Sequence, residues 1–314
     1  MSGRIGTRIA PRFSPRFGPR LGRQELAAWS FALPALSVIG LFFMLPVATG
    51  LALSLTDFDL YALASLKNLR FVGIDNYITV LQRPLFWKAL GNTLYFVAVG
   101  VPLSVGLSLL FAVALQSKLV RFKPVLRTAL FSPVVATLVA VAVIWRYLLH
   151  TRYGLINEGL VALGFSPVDW LGDPHWSMPA IILFAAWKNF GGNMIIFIAA
   201  LQAIPEDLYE AARLDGAKTW AQFRHITLPG LAPTLLMVSI LTIAGYFQLF
   251  AEPYVMTQGG PLESTKSVLY LMFEDGFKWW NLGQASALAF VLFAIIVAFS
   301  RGLLWLTRRL GVEA

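Results

Sequence analysis

The sequence predicts an all-α membrane protein with six transmembrane helices, and three observations carry that prediction. Only 13% of the 314 residues are charged and 58% are hydrophobic, against roughly 25% charged in a soluble domain. Six long runs are apolar enough to cross a bilayer, where each backbone polar group must be satisfied within its own segment. Lys and Arg gather on alternate flanks of those runs, which is the signature of cytoplasmic loops.

Residues 1–28 form an Arg-rich arm. Arg4, Arg8, Arg12, Arg16, Arg20 and Arg23 all precede the first acid, Glu25. A net charge of +9 could point to nucleic acid. Its placement just before an apolar run instead suits anionic lipid, so the expected partner is the bilayer, with no nucleic acid. The arm also has the composition of an organelle transit peptide. The apolar run behind it is too long for the core of a cleaved signal, so an uncleaved signal-anchor is expected. The arm is expected to be poorly ordered.

The six spans are 29–56, 89–115, 125–149, 178–202, 232–251 and 285–307 within one domain, 29–307, followed by a short tail, 308–314. The first holds no charge and includes Pro34 and Pro46, which a membrane helix tolerates as kinks. With the N-terminus inside, 16 of the 25 Lys and Arg fall on inside flanks. They are the six of the arm, then Lys118, Arg121, Lys123 and Arg127, then Arg213, Lys218 and Arg224, then Arg301, Arg308 and Arg309. Both termini are therefore expected in the cytoplasm, and the loop 205–229 with them.

Outside, Phe71 to Tyr77 followed by Pro84-Leu85-Phe86-Trp87 reads as a short interfacial helix, and Gly259-Gly260-Pro261 as a tight turn. Trp279, Trp280 and Asn281 suit an interfacial belt. No cysteine is present and the three histidines lie far apart, so neither a disulfide nor a metal site is expected.

The loop 205–229 reads as a capped helical hairpin. Pro205 suits a first helical turn. Glu206 and Asp207 put negative charge at the positive end of the helix dipole, worth about 0.3–1 kcal/mol each when exposed. Gly216 fits the left-handed position that ends a helix. Thr219 and Gln222 have the spacing of a capping box for a second short helix, and Pro229 and Pro233 close it. Ala211 and Ala212 would let another surface come close. On these features alone, a solvated interspan loop and a handle for a soluble partner both remain open.

The spacing Glu210-Ala211-Ala212, three residues, Gly216, nine residues, Ile226, one residue, Leu228-Pro229 resembles the "EAA" loop of membrane subunits of bacterial ABC importers. The resemblance runs over about 29–307. Phe71-Val72-Gly73 with Asn76-Tyr77 is similar to the carbohydrate-type permeases, as are Trp187-Lys188 with Asn193-Met194 and Tyr254 to Thr257 with Gly259-Gly260-Pro261. The chain lacks the large extracytoplasmic insertion of one maltose-transporter subunit.

The resemblance implies the type I ABC importer permease fold in a bacterial inner membrane, with a coupling helix at about 205–216. Glu206, Asp207, Glu210, Ala211, Ala212, Asp215 and Gly216 would dock it on a cytoplasmic ABC ATPase dimer. A second permease subunit, a paralogue rather than a second copy of this chain, would complete the path, and an extracytoplasmic solute-binding protein would deliver a sugar or related polar solute. This chain would bind no cofactor and catalyse nothing, ATP and Mg belonging to the ATPase. Gly216-Ala217-Lys218-Thr219 lacks the glycine that a phosphate-binding loop needs before its lysine.

Polar residues inside spans are functional candidates by default. For the solute path these are Lys188 and Asn193 in the fourth span, and Tyr246, Gln248 and Glu252 near the outer end of the fifth. Gly191 and Gly192 are expected to loosen packing beside them. Lys188 turning outward and Asn193 bonding a neighbouring helix are the structural alternatives. An ion-driven secondary carrier of a small polar solute is the competing function. It predicts intramembrane carboxylates, and only Glu252 comes near.

Overall fold

The computed structural model describes residues 22–117 and 120–309. Most of the Arg-rich arm, Lys118 and the last residues of the tail lie outside the described residues. Among the described residues all regular structure is helical, apart from one isolated antiparallel bridge between Thr56 and Phe71. Four helices are long and apolar enough to cross a membrane: Ala27–Ser54, Pro84–Gln116, Pro174–Ala203 and Leu282–Trp305. Two bent pairs raise the number to six if each pair is one span.

The chain divides into two units, 1–50 and 51–314. The first is dominated by α1 (Arg23–Ile39), a π-turn (Gly40–Met44) and the start of α2 (Leu45–Ser54). Pro34 sits inside α1. The π-turn ends two residues before Pro46, and the Leu45 N–H bonds back to the Gly40 carbonyl. A proline removes one i→i−4 bond and crowds the carbonyl it would have reached. The widened turn accommodates both effects without ending the helix.

In the second unit, Asp59 caps α3 (Leu60–Ala64) by accepting from the Tyr61 and Ala62 N–H groups. α4 (Asp75–Gln82) follows, and its buried Asn76 donates to the Ser54 and Thr56 carbonyls at 2.9 and 2.8 Å. Pro84-Leu85-Phe86-Trp87 does not belong to this short helix. It opens α5 (Pro84–Gln116), because Pro84 needs no N–H partner in a first turn.

α6 (Lys123–Val135) and α7 (Leu138–Leu148) correct the prediction of one continuous third span. They meet at 99°. Pro133 weakens the last turn of α6, and Ala136 and Thr137 are extended. α8 (Leu155–Ala162) and α9 (Pro174–Ala203) follow.

α5 and α9 form the centre of the core. Phe96, Val97 and Val101 of α5 are buried together with Ile181, Phe184, Met194 and Phe197 of α9. Ser108 Oγ donates to the Phe190 carbonyl at 2.9 Å. Small residues set the close approaches, as is usual where helices pack in lipid. Gly191 packs against α6, and a Cβ there would lie 2.5 Å from the Leu130 carbonyl oxygen and 3.0 Å from Phe131 Cα. This overturns the expectation that Gly191 loosens packing: it is what allows the two backbones to touch. Gly192 has open space instead.

The hairpin comprises α10 (Glu206–Leu214), α11 (Thr219–Gln222), a π-turn (Phe223–Thr227) and α12 (Leu228–Gly230). α13 (Ala232–Phe247) leaves it at a 65° bend. The predicted fifth span of 232–251 therefore ends early. Glu252 belongs to a separate short helix, α14 (Ala251–Met256). α15 (Val268–Phe273) and α16 (Leu282–Arg309) complete the chain.

The loop before α15 is tied to α5. Gly259 has φ +83°, and Gly260–Pro261 is cis. Asn92 of α5 donates to the Glu263 and Lys266 carbonyls at 2.8 and 2.9 Å. Arg83, at the N-cap of α5, pairs with Asp275 at 2.6 Å. Burial pushes the Asp275 carboxyl up, and the Arg83 guanidinium pulls it back. Nearby, burial works against the Lys266 ammonium, but Glu274 and Glu263 hold its pKa above the ordinary lysine value. Arg83→Ala would leave the buried Asp275 without its counter-ion. Because Arg83 is one-third exposed, the expected loss is about 2 kcal/mol, below the 3–5 of a fully buried pair. An unchanged thermal midpoint of the purified protein would contradict this.

Candidate functional site

Two features carry chemistry: the hairpin 205–229 and a cavity beside α13. In the hairpin, Pro205 is the N-cap and α10 starts one residue later than predicted, at Glu206. Glu206 and Asp207 occupy the first turn, facing the positive end of the dipole, and Arg213 occupies the last. Gly216 has φ +77°. The Ala217 N–H bonds to the Ala212 carbonyl at 2.8 Å and the Gly216 N–H to the Arg213 carbonyl at 3.1 Å. That pair of bonds is the Schellman arrangement, which satisfies carbonyls left over at the helix end.

The predicted capping box does not form. Lys218 is the N-cap, so Thr219 already lies inside the helix, and the cap makes no side-chain bond. Gln222 instead donates to the Ala217 carbonyl at 2.8 Å. The two arms are fastened by a contact that no motif announces, between Tyr209 Oη and Thr227 Oγ1 at 2.9 Å. Thr227 is buried.

Glu206, Asp207, Glu210, Ala211, Asp215 and Gly216 are exposed on the hairpin, and Ala212 is half-buried. Glu210 lies 3.7 Å from Arg213, an exposed pair of little energetic weight. Sequence reasoning passed over the two apolar residues at the tip, Leu214 at 90% exposure and Trp220 at 69%. The available signal was their position, a leucine and a tryptophan on either side of Gly216 in an otherwise polar stretch.

Tyr209→Phe removes one hydrogen bond across the hairpin, worth about 1 kcal/mol. The expected result is roughly fivefold faster amide exchange over residues 206–214, measured by mass spectrometry. Unchanged exchange would mean that the arms are held otherwise.

The cavity measures about 420 Å³. Its lining includes Asn189, Gly192 and Asn193 of α9, Thr242 and Tyr246 of α13, then Gln248 and Glu252. Four of the five residues predicted for the solute path thus meet in one space. Asn193 Nδ2 donates to Thr242 Oγ1 at 3.0 Å, so this amide both bonds a neighbouring helix and lines the cavity. The Tyr246 ring packs 4.9 Å from Phe96 and against Gly100. Its hydroxyl is buried beside Ser104 and Asn189 yet closes a hydrogen bond with neither. Gln248 Nε2 donates to the Ala244 carbonyl at 2.9 Å.

Lys188 does not line this cavity. It is 7% exposed, and its ammonium donates to the Val134 carbonyl at 3.0 Å, at the broken end of α6. A helix C-terminus leaves carbonyls without partners and favours a cation. In this structure Lys188 therefore stabilises the break between α6 and α7. Among the described residues no cluster of His, Asp and Glu could hold a metal.

Known proteins resemble this chain in sequence and in fold. The chain is 33% identical to the lactose transport system permease protein LacF of Rhizobium radiobacter, over 88% of its own length and 92% of that protein's. It is 35% identical to the trehalose/maltose transport system permease protein MalF of Thermococcus litoralis, with the same coverage. It is 36% identical to the arabinooligosaccharides transport system permease protein AraP of Bacillus subtilis, over 73% of this chain and 74% of that one. The fold matches a chain in the crystal structure of a bacterial ABC transporter that imports the acidic polysaccharide alginate. That match has a TM-score of 0.77 at 22% identity and covers 91% of this chain and 96% of the other. A second structure of an alginate ABC transporter, with a pentasaccharide-bound periplasmic protein, matches with the same TM-score at 21% identity, covering 92% and 96%. Residues 81–312 match the family described as binding-protein-dependent transport system inner membrane component, and the chain belongs to that family as the permease subunit of an ABC importer.

Proposed function

We propose that this chain forms half of the path for a sugar or related polar solute and couples it to a cytoplasmic ATPase through the hairpin 205–229. The observation that carries the solute reading is the cavity. It gathers amides, a tyrosine hydroxyl and a carboxyl from α9, α13 and α14 beside the aromatic ring of Phe96. A sugar stacks its C–H face on an aromatic ring and shares its hydroxyls with polar groups. The names of the relatives, which include lactose, trehalose/maltose and arabinooligosaccharide permeases, support the carbohydrate class.

The hairpin reading rests on the spacing of Glu210, Ala211, Ala212 and Gly216 and on their exposure around a doubly fastened turn. The ATPase dimer would carry ATP and Mg. A second permease would complete the path and an extracytoplasmic binding protein would load it. The distribution of Lys and Arg supports both termini inside, with residues 29–307 as the membrane domain.

The test is co-expression with the neighbouring transport genes. The chain should copurify with an ATPase whose activity rises when the solute-loaded binding protein is added. Solute uptake driven by an ion gradient without that ATPase would favour a secondary carrier instead.

A further inference from the structure

A second hollow lies at the far end of α5 from the hairpin. α5 is 33 residues long, about 50 Å. Gln116, its last residue, faces a hollow shared with Glu206 and Tyr209 of the hairpin. At its start, Arg83, Pro84 and Leu85 line a pocket of about 620 Å³ with Glu274, Asp275 and Trp279. That size falls in the range of small-molecule sites. With the hairpin in the cytoplasm, this pocket lies at the extracytoplasmic end.

The charges on its wall are paired with one another. Arg83 meets Asp275 at 2.6 Å, and Glu274 meets Lys266 at 2.9 Å and Lys278 at 3.3 Å. Pairing does not exhaust these groups. A guanidinium has five N–H donors, an ammonium three, and a carboxylate about four lone-pair sites. Donors and acceptors therefore stand side by side, and an uncharged ligand can use both without separating an ion pair. Trp279 adds an aromatic face. It is 66% exposed, with the Lys278 ammonium 5.2 Å from its ring centroid. The backbone that presents it is strained: Trp280 has φ +55°, a region that bulky residues rarely adopt. Packing of the Trp280 ring does not account for this, since it is 44% exposed. The turn is pinned on both sides, by the Trp279 N–H to the Glu274 carbonyl at 2.9 Å and the Asn281 N–H to the Asp275 carbonyl at 2.7 Å. It sets Trp279 and Asn281 together on the pocket wall.

We propose that this pocket is a carbohydrate site, separate from the cavity beside α13, which holds a sugar ring against Trp279. This rests on the reading of the chain as a carbohydrate permease. A hydroxyl group both donates and accepts, and a sugar ring carries several around an apolar C–H face. The wall offers that combination: paired ions for the hydroxyls and an indole for the face. Nothing in it singles out one sugar, so the probes need not be the transported solute.

The chain contains no cysteine, so Lys278→Cys gives it one thiol, at an exposed position on the pocket wall. In the assembled importer, without ATP or binding protein, the reaction of that thiol with N-ethylmaleimide is followed by the mass of this chain. Maltose, lactose and trehalose are the probes, and sorbitol is the open-chain control. The saccharides are expected to slow the reaction saturably, about threefold at twice the half-saturating concentration, and sorbitol is not. Trp279→Ala should abolish the protection. Leu163→Cys, at a site 75% exposed outside the pocket, should show none. Asn281→Cys repeats the measurement if the first variant does not assemble.

ATP hydrolysis stimulated by the solute-loaded binding protein reports on the path independently. With that stimulation driven by a sugar, three results would each overturn the proposal alone: no slowing by any saccharide, equal slowing by sorbitol, or slowing that survives Trp279→Ala. If the binding protein stimulates only when loaded with a solute that is not a carbohydrate, and no saccharide slows the reaction, the carbohydrate reading falls with it.

Discussion

Glu210→Lys is expected to cut solute-stimulated ATP hydrolysis of the assembled importer by roughly 30-fold, equivalent to about 2 kcal/mol of lost coupling. Glu210 is exposed in the middle of α10, on a hairpin whose own contacts do not need it. Its one ion pair, with Arg213 at 3.7 Å, is a surface pair. Reversing the charge costs the helix only a few tenths of a kcal/mol. The Schellman bonds and the Tyr209–Thr227 contact remain, so the chain should still fold and insert. Glu210→Gln should fall between wild type and Glu210→Lys. If Glu210→Lys assembles with its ATPase and hydrolyses ATP at the wild-type rate, the hairpin is not the coupling element.

Gly191→Val should lower stability by about 3 kcal/mol, at the upper end for overpacking a core. The new Cβ would meet the Leu130 carbonyl oxygen and Phe131 Cα, which are backbone atoms and cannot swing aside. Relief requires α6 and α9 to separate, and Lys188 would lose its hold on Val134 in the process. Gly192→Ala is the matched control. It has no heavy atom within 4 Å of its new Cβ and should gain up to about 1 kcal/mol from helix propensity. Thermal unfolding of the purified complex compares the two. Equal midpoints would show that α6 yields more easily than its proline-broken end suggests.

The long helices were legible because hydropathy and length say the same thing there. The runs 89–115 and 178–202 lie inside α5 and α9, which extend outward to Pro84 and Pro174. Composition could not show direction. The run 125–149 is apolar throughout, yet Pro133 and an extended Ala136-Thr137 turn the chain through 99° inside it. For the same reason Lys188 read as a polar residue in a span, whereas its partner is a carbonyl that exists only because α6 stops. Around the cavity, Asn193, Tyr246, Gln248 and Glu252 stood out as costly residues in an apolar setting. Thr242 did not, since a threonine that bonds its own helix is ordinary in membranes, and its second role depends on α9 lying alongside. The capping motif also failed at Thr219: spacing fixes which residues could bond, not where the first turn begins.

The 65° bend between α12 and α13 has a mechanical consequence. Leu231, at its apex, is fully buried, so the corner is gripped by the core while one arm ends in the exposed Trp220 and the other at Tyr246. Such a part works as a bell crank. A tilt of about 5° about Leu231 would carry Tyr246, ~22 Å away at 1.5 Å per residue, sideways by ~2 Å. That is more than half the diameter of a water molecule, applied where the cavity wall is made.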